Sequence, residues 1–159
     1  MSRYEHRGGS TVSRRVMRGF VPERLREARE NAGFSQGDLA RIADVGRTTI
    51  YQWENGMATP QIDILARVIK TLDIAMTQVV VIPDDQLFPG DLRVRSGLTQ
   101  PQLGKAAGLS TTLISAIEHG EVQLAPATAD ALAQALNVST ATLVAAHARV
   151  RQRPAGSPI

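Results

Sequence analysis

Apolar residues recur along this chain at the three- and four-residue spacing of short helices, punctuated by glycine, proline and capping residues. Pro22 suits the first turn of a helix, and Leu25, Ala28 and Ala32 follow at helical spacing until Gly33 ends it. Ser35 is a good N-cap for a helix over Gln36–Ala43, with Asp38 in its first turn. After three residues the chain re-enters helix at Arg47 and leaves it at Gly56, with Ile50 and Trp53 as the inward apolar positions. Pro60 precedes a helix in which Ile64, Leu65, Val68, Ile69 and Leu72 share one side. A last short helix or an extended stretch is expected over Ala75–Ile82.

The pattern then repeats. A shift of 64 residues aligns Gly33 with Gly97, Gln36 with Gln100, Leu39 with Leu103, Thr48 with Thr112, Ile50 with Ile114, Glu54 with Glu118 and Gly56 with Gly120, with no gap. Apolar character persists where identity does not, as in Phe34/Leu98, Val45/Leu109 and Trp53/Ile117. A fixed period of this length means two copies of one small domain. Thr99, Ser110 and Ser139 offer N-caps in copy two, whose first helix is shortened because Pro89 and Gly90 stand opposite Leu25 and Arg26. The expected fold class is all-α, with five short helices per copy and no strong strand. The expected divisions are an arm over 1–19, a domain over 20–82, a linker over 83–90, a second domain over 91–148 and a flexible tail over 149–159.

Composition narrows this picture. The 159 residues suffice for one ordinary domain or two small ones. With no cysteine, disulfides, thiol chemistry and cysteine-ligated zinc are excluded, which suits a reducing cytoplasm. The longest apolar run, "VVVI", has four residues, and no apolar segment follows the first arginines, so neither a membrane span nor a secretory signal is expected. The net charge of +3 is unevenly spread. Residues 1–19 carry +4, residues 20–82 carry −1, residues 83–148 carry −3, and Arg149, Arg151 and Arg153 restore +3 in the tail. The positive charge thus lies at the two ends, where it fits either a polyanion or plain solvation.

Two helices joined by a turn of three or four residues form a helix-turn-helix, whose second helix can lie in the major groove of DNA. Leu39, Ala43, Val45, Ile50 and Trp53 are placed to lock the helices together. The other face of the second helix offers Arg47, Thr48, Gln52 and Asn55. Arginine can bond guanine O6 and N7, glutamine can bond adenine N6 and N7, and threonine can touch a thymine methyl. Spacing alone leaves open both DNA reading and a merely solvated polar face.

The segments "FSQGDLARIADVGRTTIYQWENGMATP" and "LTQPQLGKAAGLSTTLISAIEHGE" resemble the phage-repressor/Cro (XRE-like) type of helix-turn-helix domain. The resemblance covers nearly everything from Phe20 to about Val144. It implies two tandem lambda-repressor-like domains. By it, Gln36, Asn55, Gln100 and His119 contact DNA phosphates, while Arg47, Thr48 and Gln52 read bases, as do Thr111 and Thr112 in copy two. It also implies inward ion pairs of Arg29 with Glu54 and Arg93 with Glu118, each 25 residues apart. The basic arm, through Arg14, Arg15 and Arg18, is expected to enter the adjacent minor groove.

Departures from the pattern matter. Copy one has Asp44 where the turn usually has glycine, and Gly46 where a capping Ser or Thr is usual. Copy two has better turn residues in Gly108 and Ser110, but Thr111 and Ala116 replace Arg47 and Gln52. The resemblance implies a cytoplasmic, nucleoid-associated regulator of transcription, a repressor for example of phage immunity, whose partner is double-stranded DNA. Copy two is either a second reader or an interaction module, for dimerisation or for a host factor in an antitoxin-like role, and a homodimer stays open. His6, His119 and His147 lack metal-ligand spacing, and neither a phosphate loop nor a nucleophile elbow occurs. No enzyme activity, metal, cofactor or small-molecule effector domain is expected.

Overall fold

Four helix starts carry the side-chain caps that the sequence offers. In a computed structural model that describes residues 17–159, Ser35 Oγ accepts from the Asp38 amide at 3.0 Å and Thr99 Oγ1 from the Gln102 amide at 3.2 Å. Ser110 and Ser139 do the same for the amides of Leu113 and Thr142. These caps open four of the helices: α2 (Gln36–Ala43), α6 (Gln100–Ala107), α7 (Thr111–Glu118) and α9 (Thr140–Gln152). The remaining helices are α1 (Pro22–Asn31), α3 (Arg47–Glu54), α4 (Ile62–Leu72), α5 (Pro89–Arg95) and α8 (Pro126–Leu136). Gly46 leads into α3 with no side-chain bond, so this helix starts with a weaker cap than its counterpart α7.

The helices form two bodies, each with its own apolar centre. In the first, Leu25, Leu39, Ile50 and Leu65 are fully buried, with Trp53, Leu72 and Val79 beside them. In the second, Leu103, Ile114, Ile117, Leu136 and Leu143 take the places of Leu39, Ile50, Trp53, Leu72 and Val79. The stretch over Ala75–Ile82 resolves into a 3-10 turn (Met76–Gln78) followed by extended chain. There the amide of Val21 donates to the Val79 carbonyl and that of Val81 to the Gly19 carbonyl, around an isolated antiparallel bridge between Phe20 and Val80. A β-branched run of this kind is poor helix material, and pairing with the chain that enters α1 satisfies its backbone instead. Gly19 is required at that closure: its φ is +76°, and a Cβ there would lie 2.7 Å from the Val81 carbonyl oxygen.

Two expected boundaries change. Pro89 and Gly90, read as linker, form the first turn of α5. Arg149 and Arg151, read as flexible tail, lie in the last turns of α9, because Val150 is fully buried and holds that end of the helix on the second body. The segment between the bodies is held by α5 and α9 of the second body. Arg95 donates to the Ile82 carbonyl at 2.9 Å and to Asp84 at 3.1 Å, and Arg149 donates to the Leu87 carbonyl at 3.0 Å. Val94 of α5 packs against the first core.

His147 lies buried in α9, where its Nε2 sits 3.0 Å from the Val122 carbonyl and must carry the hydrogen, since a carbonyl only accepts. Burial pushes this ring below the usual histidine range, with the Val122 bond opposing. A histidine depressed in the folded state favours folding fully above its unfolded value of about 6.5, and that contribution is lost as pH falls through the lower folded value. The melting temperature is therefore expected to drop below about pH 6.5, and His147→Gln is expected to flatten that drop. Parallel pH profiles for the two proteins would contradict it.

Candidate nucleic-acid interface

The unit built from α2 and α3 is fastened at its turn and along its inner face. Asp44 takes the left-handed conformation at the end of α2, with φ 56°, where the second copy places Gly108 with φ 70°. Aspartate tolerates this conformation better than most side chains, which explains how the turn survives without glycine. Leu39, Ala43, Ile50 and Trp53 are buried and Val45 is half-buried, so the inner face is fully used.

A polar network fixes the far end of α3. Glu54 is buried, and Arg29 donates to it from Nε at 2.6 Å and from Nη2 at 3.0 Å. Arg29 Nη1 also donates to the Phe34 carbonyl at 2.8 Å, tying α1 to the start of α2. Gln36 Nε2 donates to the second carboxylate oxygen of Glu54 at 2.8 Å. The bond to Glu54 holds the Arg29 guanidinium above its ordinary range, against the opposing effect of burial. The second copy repeats the network: Arg93 donates to Glu118 at 2.6 and 3.2 Å and to the Leu98 carbonyl at 2.9 Å, and Gln100 donates to Glu118 at 2.9 Å. Gln36 and Gln100, expected at phosphates, thus each spend one N–H inside the protein. Among the described residues no buried side-chain nitrogen or oxygen lacks a partner.

Outward residues crown the amino end of α3. Arg47 and Thr48 are exposed, Gln52 is half-buried and Asn55 is exposed just past the helix. The Arg47 stem lies over Gly37 in the first turn of α2. Two residues missed by sequence reasoning join this surface. Tyr51 is 49% exposed and follows Arg47 by one helical turn, a signal that the 47, 51, 55 spacing carried. Arg26 reaches across from α1, with Nη2 3.2 Å from the Glu54 carbonyl and 3.4 Å from Asn55 Oδ1.

In the second copy Thr111 and Thr112 are exposed at the start of α7, with Ala116 half-buried one turn on. His119 Nδ1 lies 2.6 Å from the Ser115 carbonyl and so carries its hydrogen there, leaving Nε2 a donor only when the ring is protonated. Of the arm, Arg14 and Arg15 lie outside the described residues. Arg18 is not free: it pairs with Asp91 at the start of α5 and lies 4.2 Å over the centre of the Phe88 ring. Burial pushes the Asp91 carboxyl up, while the Phe88 amide and Arg18 pull it down.

With this geometry in view, residues 25–79 match the family model described as helix-turn-helix, and residues 90–146 match that described as helix-turn-helix domain. The chain carries two helix-turn-helix domains. Its similarity to curated proteins is local. It is 37% identical over 75 residues to a protein of Methanocaldococcus jannaschii provisionally named an HTH-type transcriptional regulatory protein, covering 47% of this chain and 22% of that one. Proteins of the same provisional name from Methanococcus maripaludis strain C5 and Methanospirillum hungatei are 36% and 37% identical over 81 residues, each covering 51% of this chain and 23% of theirs. The chain therefore spans under a quarter of the length of these relatives. No described helix of the two helix-turn-helix domains is long and apolar enough to cross a membrane. Among the described residues no three His, Asp or Glu side chains gather to hold a metal ion.

Proposed function

We propose that this chain is a transcriptional regulator that reads double-stranded DNA with α3, touches a second site with α7 and represses by covering a promoter. The arrangement of α3 carries this reading: Ile50, Trp53 and Glu54 are buried while Arg47 and Thr48 stand exposed at its amino end. A helix anchored this way offers its first turn to base edges without loss of its own packing. Arg47 then pairs with guanine, Gln52 with adenine and Thr48 with a thymine methyl. Asn55 and the remaining N–H of Gln36 meet phosphate oxygens, which set register and not sequence. The names of the methanogen relatives, which describe transcriptional regulators, agree with this use.

In the second domain Thr111 and Thr112 take the base-reading role, and Gln100 and His119 the phosphate role. Arg14 and Arg15 supply the arm to the minor groove, with Arg18 as its anchor on Asp91. The exchange of Arg47 and Gln52 for Thr111 and Ala116 favours a second reading, in which the second domain mediates dimerisation or binds another protein. Selection of binding sites from random duplexes separates the two. Two unlike half-sites are expected from the whole chain, the second altered by Thr111→Ala with Thr112→Ala. A single half-site or a perfect palindrome, indifferent to those changes, would leave the second domain as an interaction module.

A further inference from the structure

The end of α9 lies against the exit of α7, and it brings two guanidiniums with it. Arg151 Nη1 donates to the Gly120 carbonyl at 3.0 Å, and Arg153 Nη1 donates to the carbonyls of His119 at 2.9 Å and Val150 at 2.7 Å. A Cβ on Gly120 would come within 3.2 Å of the Arg151 backbone nitrogen, so the approach is one of backbone to backbone. Among the described residues neither arginine has a carboxylate within ion-pair reach. A guanidinium carries five N–H groups in a fixed fork, and most of those on Arg151 and Arg153 are unspent.

The first domain has a guanidinium at the same place from a different source. Arg26 of α1 reaches the exit of α3, touching the Glu54 carbonyl and Asn55. In the 64-residue register its counterpart is Gly90, which has no side chain. A Cβ on Gly90 would already lie 3.2 Å from Glu118 Oε2, so α5 has little room for a long residue there. The second copy lacks the basic group that the first helix supplies in copy one, and the carboxyl end of α9 provides it instead. The charge balance agrees: residues 83–148 carry −3, which Arg149, Arg151 and Arg153 cancel.

We propose that Arg151 and Arg153 form a clamp for a DNA phosphate beside His119, a further backbone contact of the second domain next to those of Gln100 and His119. This rests on the reading of α7 as a DNA-facing helix. A fork of N–H donors beside the exit of that helix suits phosphodiester oxygens, and the clamp positions without reading sequence.

The test uses the whole chain on a mixed-sequence duplex, with affinity followed against salt. Each phosphate contact contributes about 0.9 to the slope of log affinity on log salt. Arg151→Gln with Arg153→Gln is expected to make the slope shallower by roughly 1, while Arg151→Lys with Arg153→Lys keeps most of it. A glutamine variant with the unaltered slope and intact thermal unfolding overturns the clamp. If the clamp fails but Thr111→Ala with Thr112→Ala still changes the selected second half-site, the two-reader function survives it. If neither set of changes has any effect, both fall together.

Discussion

Replacing Glu54 with alanine is expected to destabilise the first helix-turn-helix domain by about 3–5 kcal/mol, the usual cost of removing one partner of a buried ion pair. The side chain of Glu54 has no exposure, and that of Arg29 has 11%, so water cannot take over the lost contacts. Arg29 would retain its bond to the Phe34 carbonyl and a looser contact with the exposed Glu30 carboxylate at 3.9 Å, and Gln36 would lose its acceptor. Against a total of about 5–15 kcal/mol for a domain, this loss leaves α3 poorly held or the domain largely unfolded. Urea unfolding of the whole chain checks it, and a loss under about 1 kcal/mol would mean that the pair behaves as a surface contact. Replacing both members, Arg29→Met with Glu54→Leu, is expected to recover much of the loss, because no charge then stays buried alone. Glu118→Ala should act in the same direction but less strongly, since Arg93 and Glu118 are 14% and 8% exposed.

Arg47→Ala is expected to weaken binding to the selected site by about 1–3 kcal/mol, or roughly 5- to 150-fold, and to relax the preference for guanine at one position. Gln52→Ala should do the same at an adenine, and the two positions should be nearly additive if each reads its own base pair. Asn55→Ala serves as contrast: a lost phosphate contact lowers affinity alike on every sequence. Competition binding with single-base variants of the site distinguishes these patterns. An equal loss on all sequences for Arg47→Ala would make Arg47 a backbone contact and move the reading to Thr48, Tyr51 and Gln52.

These two outcomes bear on different parts of one device. Glu54 sets where α3 points, and in the proposed function Arg47 uses that direction. A helix of eight residues has too few turns to hold its own orientation, so the buried carboxylate near its end does what length cannot. Repetition of the same network around Glu118 means that α7 is aimed by the same means, whatever it meets.

The sequence by itself determined the helices, their caps, the two-fold repeat and the inward half of each helix-turn-helix. Those features rest on short-range physics: apolar spacing, capping side chains and the tolerance of Asp44 and glycine for left-handed backbone. The ion pairs named from family resemblance connect residues that the structure also brings together. Tertiary structure alone decided the destinations of long polar side chains. Gln36 turns partly inward to Glu54, Arg18 crosses to Asp91, and Arg151 and Arg153 fold onto the exit of α7. A long flexible side chain can reach any acceptor within several ångströms, and its partner is set by packing between elements far apart in the chain. Local pattern carries no trace of that choice, which is why the basic tail reads as loose in sequence and stands in the structure at the end of a helix that Val150 holds on the second body.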